Sequence, residues 1–251
     1  MNPFYFGDTG AALYGVHHPP KSSTPRSSGV VLCYPFAQEY MRAHRAFRQL
    51  SLLLSARGFH TLRFDYTGTG DSSGEPQDIS LAAWGRDLDI AVEELMDTAA
   101  VDSVWVVGLR LGGAVALRAA ENANVRGVVL WDPVIDGNTL LVEAAEEPGP
   151  TGAPTLVLGG VPIVPRFRAD VASLDLMTAP LPKNARYLLA VSEDTAPYQA
   201  LRDRLVRDGA EVSYTCVPSD GRWSMYDNWG SALIPQALIR AIVDYLNEAV
   251  S

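Results

Sequence analysis

The run Val107-Gly108-Leu109-Arg110-Leu111-Gly112-Gly113 joins an apolar segment, Val104 to Val107, to a leucine- and alanine-rich one, Leu111 to Ala120. The β-branched residues before it predict a buried strand, and the spacing after it predicts a helix. Glycines 108 and 112 flank a single arginine. Such flanks suit a chain that turns sharply from strand to helix where a Cβ has no room. A guanidinium there stays protonated at any workable pH and has donors but no lone pair. Arg110 can therefore hold a carboxylate or phosphate, but it cannot attack a carbonyl.

Outward from this turn the chain alternates strand and helix. Two short runs, Phe4 to Phe6 and Ala12 to Val16, are separated by Gly7-Asp8-Thr9-Gly10 and predict an antiparallel hairpin at a sheet edge. Strands are expected at Val30 to Cys33, Thr61 to Phe64, Val104 to Val107, Val128 to Trp131, Tyr187 to Val191 and Val212 to Val217. Helices are expected at Met41 to Ala56, Leu81 to Met96, Leu111 to Ala120, Tyr198 to Arg207 and Ala232 to Glu248. Alternation of this kind specifies an α/β fold with a mostly parallel sheet covered on both faces. Between residues 136 and 183 the rhythm breaks into Gly- and Pro-rich pieces, with one further hairpin expected around Gly159-Gly160. The reading is a single domain over residues 1–251 with a small lid insertion at about 136–183.

Composition narrows the function classes. Twenty basic against 29 acidic side chains give a formal charge of −9, with no cluster of Lys or Arg interleaved with aromatics. A nucleic-acid backbone would be repelled. No stretch approaches the ~20 apolar residues of a membrane span, so no membrane partner is expected. Cys33 and Cys216 both fall in apolar runs and are expected to be reduced core thiols, which points to the cytoplasm. No metal and no cofactor is expected.

Three segments carry a family resemblance: Gly108 to Gly113, the loop Asp65-Tyr66-Thr67-Gly68-Thr69-Gly70-Asp71-Ser72, and Tyr34-Pro35-Phe36-Ala37. Together they resemble the nucleophile elbow, the D-x-x-G-x-G-x-S loop and the oxyanion loop of the α/β-hydrolase superfamily, across essentially the whole chain. Within it the chain is most similar to the bacterial serine-aminopeptidase-like and exosortase-associated hydrolases, in which members with a G-L-R-L-G elbow also occur. The resemblance implies a Ser-His-Asp triad, with the acid after strand Tyr187 to Val191 and the histidine after Val212 to Val217. Asp194 stands at the acid's place. Arg110 replaces the serine, and Arg222 or Trp223 falls where the histidine belongs, because His17, His18, His44 and His60 all precede the elbow. Without nucleophile and base, covalent acyl transfer is lost as a mechanism.

What remains is still shaped for a ligand, because open parallel sheets bind at the carboxyl ends of their strands. Glu39 is placed to meet Arg110, and Asp132 is expected beside the elbow, opposite Asp194. His44 lies near the oxyanion loop. These residues form the candidate catalytic set, with backbone amides near Phe36 and Leu111 available to an oxygen. Phe36, Ala37, Tyr40, Leu111, Trp131, Arg222 and Trp223 are the candidate ligand-binding residues. One reading is a non-hydrolytic tailoring enzyme of epimerase, lyase or cyclase type. It would act on a carboxylate-bearing small molecule or peptide, as triad-less superfamily members such as a peptide aspartate epimerase do. A second is a pseudo-hydrolase that binds a ligand or partner without chemistry, and a third is an esterase or peptidase using a displaced Ser224. An open site with Arg110 unpaired favours ligand recognition, whereas an Arg110–Glu39 pair and a plug formed by Trp223 favour a relic. The remaining alternatives are structural: Asp194 as a helix cap, His44 as a surface residue, and His17 and His18 as exposed.

Overall fold

A computed structural model of the chain describes residues 1–119, 121–122, 124–142, 144–148, 154–158, 160–180, 185–221, 223 and 233–250. Six strands come first: β1 (Asn2–Phe6), β2 (Leu13–His18), β3 (Ser28–Cys33), β4 (His60–Phe64), β5 (Ser103–Leu109) and β6 (Val125–Trp131). A small set follows, β7 (Ala145–Pro148), β8 (Pro154–Leu158) and β9 (Val161–Pro162), and then β10 (Arg186–Val191) and β11 (Glu211–Cys216). The main sheet has eight strands in the order β1-β2-β4-β3-β5-β6-β10-β11. From β4 to β11 every neighbouring pair is parallel, while β2 runs antiparallel to both β1 and β4.

The sheet is buried on both faces, as its sequence demands. Every residue of β3 is buried, as is every residue of β5, β6 and β10 except Ser103, Arg126 and Arg186. Continuous burial of this kind needs helices on each side. They are α1 (Gln38–Ala56), α2 (Leu81–Ala99), α3 (Leu111–Ala119), α6 (Ala196–Arg207) and α7 (Gln236–Ala249), with α4 (Gly137–Leu141) and α5 (Pro165–Ala172) in the insertion. Helix α1 packs on β4 and α7, whereas α2 and α3 pack on each other and on β3. The buried face of α1 is Ala43, Ala46, Phe47, Leu50 and Leu54, a helical repeat of three and four.

The expected hairpins form. Strands β1 and β2 pair from Asn2↔His17 to Phe6↔Leu13, and β8 pairs with β9. Strand β7 adds to β8, making a three-stranded sheet that the sequence pattern does not announce. The insertion is anchored rather than hinged loosely. Phe167 of α5 is buried, with its ring 4.8 Å from Phe36 and 5.2 Å from Trp84.

One expectation needs correction. His17 and His18 are buried, not exposed, because β2 lies second in the sheet, between β1 and β4, and the two rings, on opposite faces, are each covered there. His17 bonds His60 at 3.0 Å, and His18 accepts a hydrogen bond from Arg63.

Candidate functional site

The turn between β5 and α3 brings backbone against backbone too closely for any side chain. A Cβ at Gly108 would lie 2.2 Å from the Gly112 carbonyl oxygen, and one at Gly112 would lie 2.3 Å from the oxygen of Cys33. Only glycine lets α3 begin against the end of β3. Arg110 sits at the apex with φ 54°, in the left-handed region. Ala37 (φ 55°) and Asp132 (φ 40°) are in it too, so three of the four such non-glycine residues among the described ones surround this turn. Each holds on the order of 1–3 kcal/mol of strain, which the surrounding packing must impose.

Arg110 points toward the start of α1. Its Nε donates to Glu39 Oε1 at 2.8 Å, and Nη1 donates to the Asp132 carbonyl at 3.5 Å. The Tyr198 hydroxyl also hydrogen-bonds Arg110, and burial pushes that phenol up to about 12. The placement has an electrostatic reason. The amino end of α3 carries partial positive charge and disfavours a cation, whereas the first turn of α1, where Glu39 sits, favours an anion. The Glu39 side chain is 4% exposed and that of Arg110 19%. A charge so enclosed needs its counterion.

Asp132 forms the second half of the site. It follows β6 and is 2% exposed. Its Oδ1 accepts from the Ser192 backbone N–H at 2.6 Å and the Ser192 hydroxyl at 2.9 Å, and its Oδ2 accepts from Trp223 Nε1 at 3.0 Å. Burial raises the acid's pKa, while the bonds from Ser192 and Trp223 and the charge of Arg110 oppose that rise. Trp223 is buried and stands edge-on to Trp131, with ring centroids 5.5 Å apart. An indole N–H donates but cannot accept a proton, so the group that meets Asp132 is no base.

The structure brings together Arg110, Glu39, Asp132 and Trp223, with Leu111 and Trp131 buried behind them. Trp131 belongs to the core rather than to a pocket wall. Asp194 is not part of this network. It is exposed, accepts from the Tyr214 hydroxyl at 2.5 Å, and is held low first by that bond and then by Gln199. The N-cap position of the adjoining helix is held by Thr195, not Asp194, and without a side-chain capping bond. His44 faces another way: its ring stacks on Tyr34 and tilts against Tyr40, and burial followed by the charge of Arg63 lowers its pKa. Arg222 and Ser224 lie outside the described residues. Two participants are absent from the sequence reading, Ser192 and Tyr198. Both stand within a few residues of the carboxyl end of β10, which is the available signal for them.

Phe36, Ala37 and Tyr40 do line a cavity, of about 290 Å³. Its walls come from the loop after β3, the glycine loop after β4 and the β9 hairpin of the insertion, chiefly Pro35, Met41, Ile79 and Val161. The lining is mostly apolar, as small-molecule pockets are.

The fold and this turn define a member of a large enzyme class. The profile of the Alpha/beta hydrolase family matches residues 33–246, and the chain belongs to that family. Among curated proteins it is similar to the mitochondrial palmitoyl-protein thioesterase ABHD10 of Homo sapiens, 27% identical over 123 residues. That match covers 49% of this chain and 38% of the relative, so the chain spans well under half the length of the curated protein it matches. Among solved structures it is similar to Est1E from Butyrivibrio proteoclasticus with ferulic acid bound, at a TM-score of 0.70 and 15% identity, covering 98% of each chain. Mouse alpha/beta hydrolase domain-containing protein 10 gives a TM-score of 0.64 at 16% identity, covering 100% of this chain and 98% of that one. At such identities the structural likeness speaks for the fold alone. No helix among the described residues is long and apolar enough to cross a membrane.

Proposed function

We propose that this chain is a ligand-binding member of the α/β-hydrolase family that performs no serine-dependent hydrolysis, with Arg110 standing where a hydrolase carries its nucleophile and Trp223 where it carries its histidine. The observation that carries this reading is the closed circuit of the site. Glu39 pairs with Arg110 at 2.8 Å, and both Asp132 oxygens are engaged by Ser192 and Trp223. The one hydroxyl on that acid, Ser192, donates to a carboxylate already held by two N–H donors, and among the described residues no histidine of this site takes its proton and passes it on, as serine acyl transfer needs. The ligand class is a small molecule or peptide with an apolar body and a carboxylate. The cavity beside Phe36 and Ala37 takes the body; Arg110 does not line it, and because its pair with Glu39 by itself favours a relic, the guanidinium meets a ligand charge only through the 19% of its side chain left exposed. The cytoplasm is part of the same proposal and rests on the two free cysteines, Cys33 and Cys216.

A second reading has one specific observation in its favour. A carboxylate, Glu39, lies 2.8 Å from a fixed cation, the pair that a proton abstraction next to a substrate carboxylate would use. This is the non-hydrolytic epimerase, lyase or cyclase reading. The thioesterase name of the relatives favours hydrolysis instead, which here would need a serine such as Ser224.

Dodecanoate serves as the probe ligand, titrated by calorimetry against wild type and Arg110→Ala, alongside turnover of a long-chain acyl thioester. The expected result is saturable binding, about tenfold weaker in the variant, or ~1.4 kcal/mol, with no thioester turnover. Turnover that disappears in Ser224→Ala overturns the reading. Hydrogen exchange next to the carboxylate that is lost in Glu39→Gln moves the chain to the enzymatic alternative.

A further inference from the structure

A second pocket, of about 290 Å³, opens between β2, β4 and α1, on the far side of Tyr34 and Tyr40 from the apolar cavity. Its lining is charged where the first is greasy: Arg63, Arg48 and His44 reach it, along with Tyr14, Tyr34 and Asp71. Arg63 is the unusual member. It is 4% exposed, yet its two hydrogen-bond partners among the described residues are both uncharged. Nε donates to His18 Nε2 at 3.2 Å and Nη1 to the Tyr34 hydroxyl at 2.9 Å. A histidine that accepts from an arginine is neutral. Burial, with Arg63 second, lowers the His18 pKa to about 4, and burial pushes the Tyr34 phenol up to about 12. Among the described residues no carboxylate lies within ion-pair distance of Arg63. The nearest acidic group on this wall, Asp65, is already occupied by the Tyr40 hydroxyl at 2.8 Å and the Asp71 N–H at 3.1 Å.

A buried cation normally brings a counterion with it. Here the cavity itself fills that place. Arg48 and His44 stand one helical turn apart on α1, on the same face, so both project toward the same opening. Neither makes a hydrogen bond or ion pair among the described residues. Two guanidiniums facing one space repel each other while it is empty and converge on an oxyanion when it is filled, with the imidazole N–H as a further donor.

We propose that this pocket is a binding site for a small oxyanion, the carboxylate or phosphate group of a ligand distinct from the one held at Arg110, gripped by Arg63 from beneath and by Arg48 and His44 from α1. Asp65 and Asp71, which also line the pocket, restrict it to ligands whose remaining charge is neutral or positive. The site does not depend on the function proposed for Arg110. Its occupation draws the positive side chains of α1 onto β4, tying the helix to the sheet edge.

The test is nuclear magnetic resonance of the histidine rings in the full-length chain, titrated separately with inorganic phosphate, acetate and chloride at constant ionic strength. Saturable shifts of His44 and His18 with phosphate or acetate but not chloride are expected, with the His44 pKa moving up on binding. Saturation by phosphate alone assigns a phosphoryl ligand, and by acetate alone a carboxylate. Arg48→Gln, an exposed position, weakens the binding at least tenfold, and Arg45→Gln on the neighbouring surface leaves it unchanged. The proposal falls if no saturable shift appears at tens of millimolar anion, if chloride reproduces it, or if Arg48→Gln binds as wild type does.

Discussion

Arg110 and Glu39 hold each other in place, and neither would be tolerated alone. An arginine at the amino end of α3 opposes the helix dipole, and a glutamate 4% exposed has left water behind. Removing one partner strands the other. Glu39→Leu is expected to cost about 3 kcal/mol in denaturant unfolding, and the double variant Glu39→Leu/Arg110→Met to recover most of it, because a buried pair is replaced by apolar packing. If the double variant is as unstable as the single, the two side chains are not a pair that the fold must balance. This pairing was legible in the sequence, since the loop after β3 borders the β5–α3 turn in any fold of this kind. The partnership of Trp223 with Asp132 was not. Those residues are 91 positions apart, and nothing in residues 218–223 says which of two acids an indole will reach. Asp132 wins because its left-handed backbone turns its carboxylate inward, while Asp194 is drawn outward to Tyr214.

The strands and helices are where sequence patterning speaks most clearly. Buried parallel strands are continuous apolar runs, and β3, β5, β6 and β10 fall where such runs occur, with ends displaced by a residue or a few. Helix α1 begins earlier than its apolar spacing implies, at Gln38 rather than Met41. Its first turn holds polar residues serving the site, which a hydrophobic period cannot register. In the insertion the pattern is weak because β7 and β9 are short and belong to a separate three-stranded sheet. At this scale the β5–α3 turn makes a sharp prediction. Gly112→Ala places a Cβ against backbone oxygens of Cys33 and Tyr34, at 2.3 and 2.5 Å, which no rotamer change can relieve. The expected loss is about 4 kcal/mol, a large share of the roughly 5–15 kcal/mol that holds a domain folded. Gly10→Ala, with open space around it, should stay within about 0.5 kcal/mol of wild type by the same thermal or denaturant measurement.

Across the whole molecule, charge is distributed so that the histidines gather at one edge, about β2, β4 and α1. Burial lowers His17 and His18 to about 4, with the charges of His60 and Arg63 adding to it. In the unfolded chain both titrate near 6.5, so between 6.5 and 4 the unfolded state binds more protons. Stability is therefore complete above that window and falls as pH drops through it, by at most ~1.4 kcal/mol per pH unit for each histidine. Asp65, Asp87 and Asp132 are raised by burial and act in the opposite sense at the acid end, since they keep their protons longer when folded. Urea unfolding between pH 7 and 5 should show the decline, and His18→Gln should flatten it. A profile that is level in wild type would mean that these rings are not held neutral.

The site's chemistry is decided by whether any serine is activated. Intact-mass analysis after treatment with a fluorophosphonate, which bonds covalently to an activated serine, asks that directly. The account predicts an unmodified chain, because the residue at the turn is Arg110 and the group on Asp132 is an indole. A single stoichiometric adduct on a serine would contradict it and return the chain to the hydrolysing members of its family.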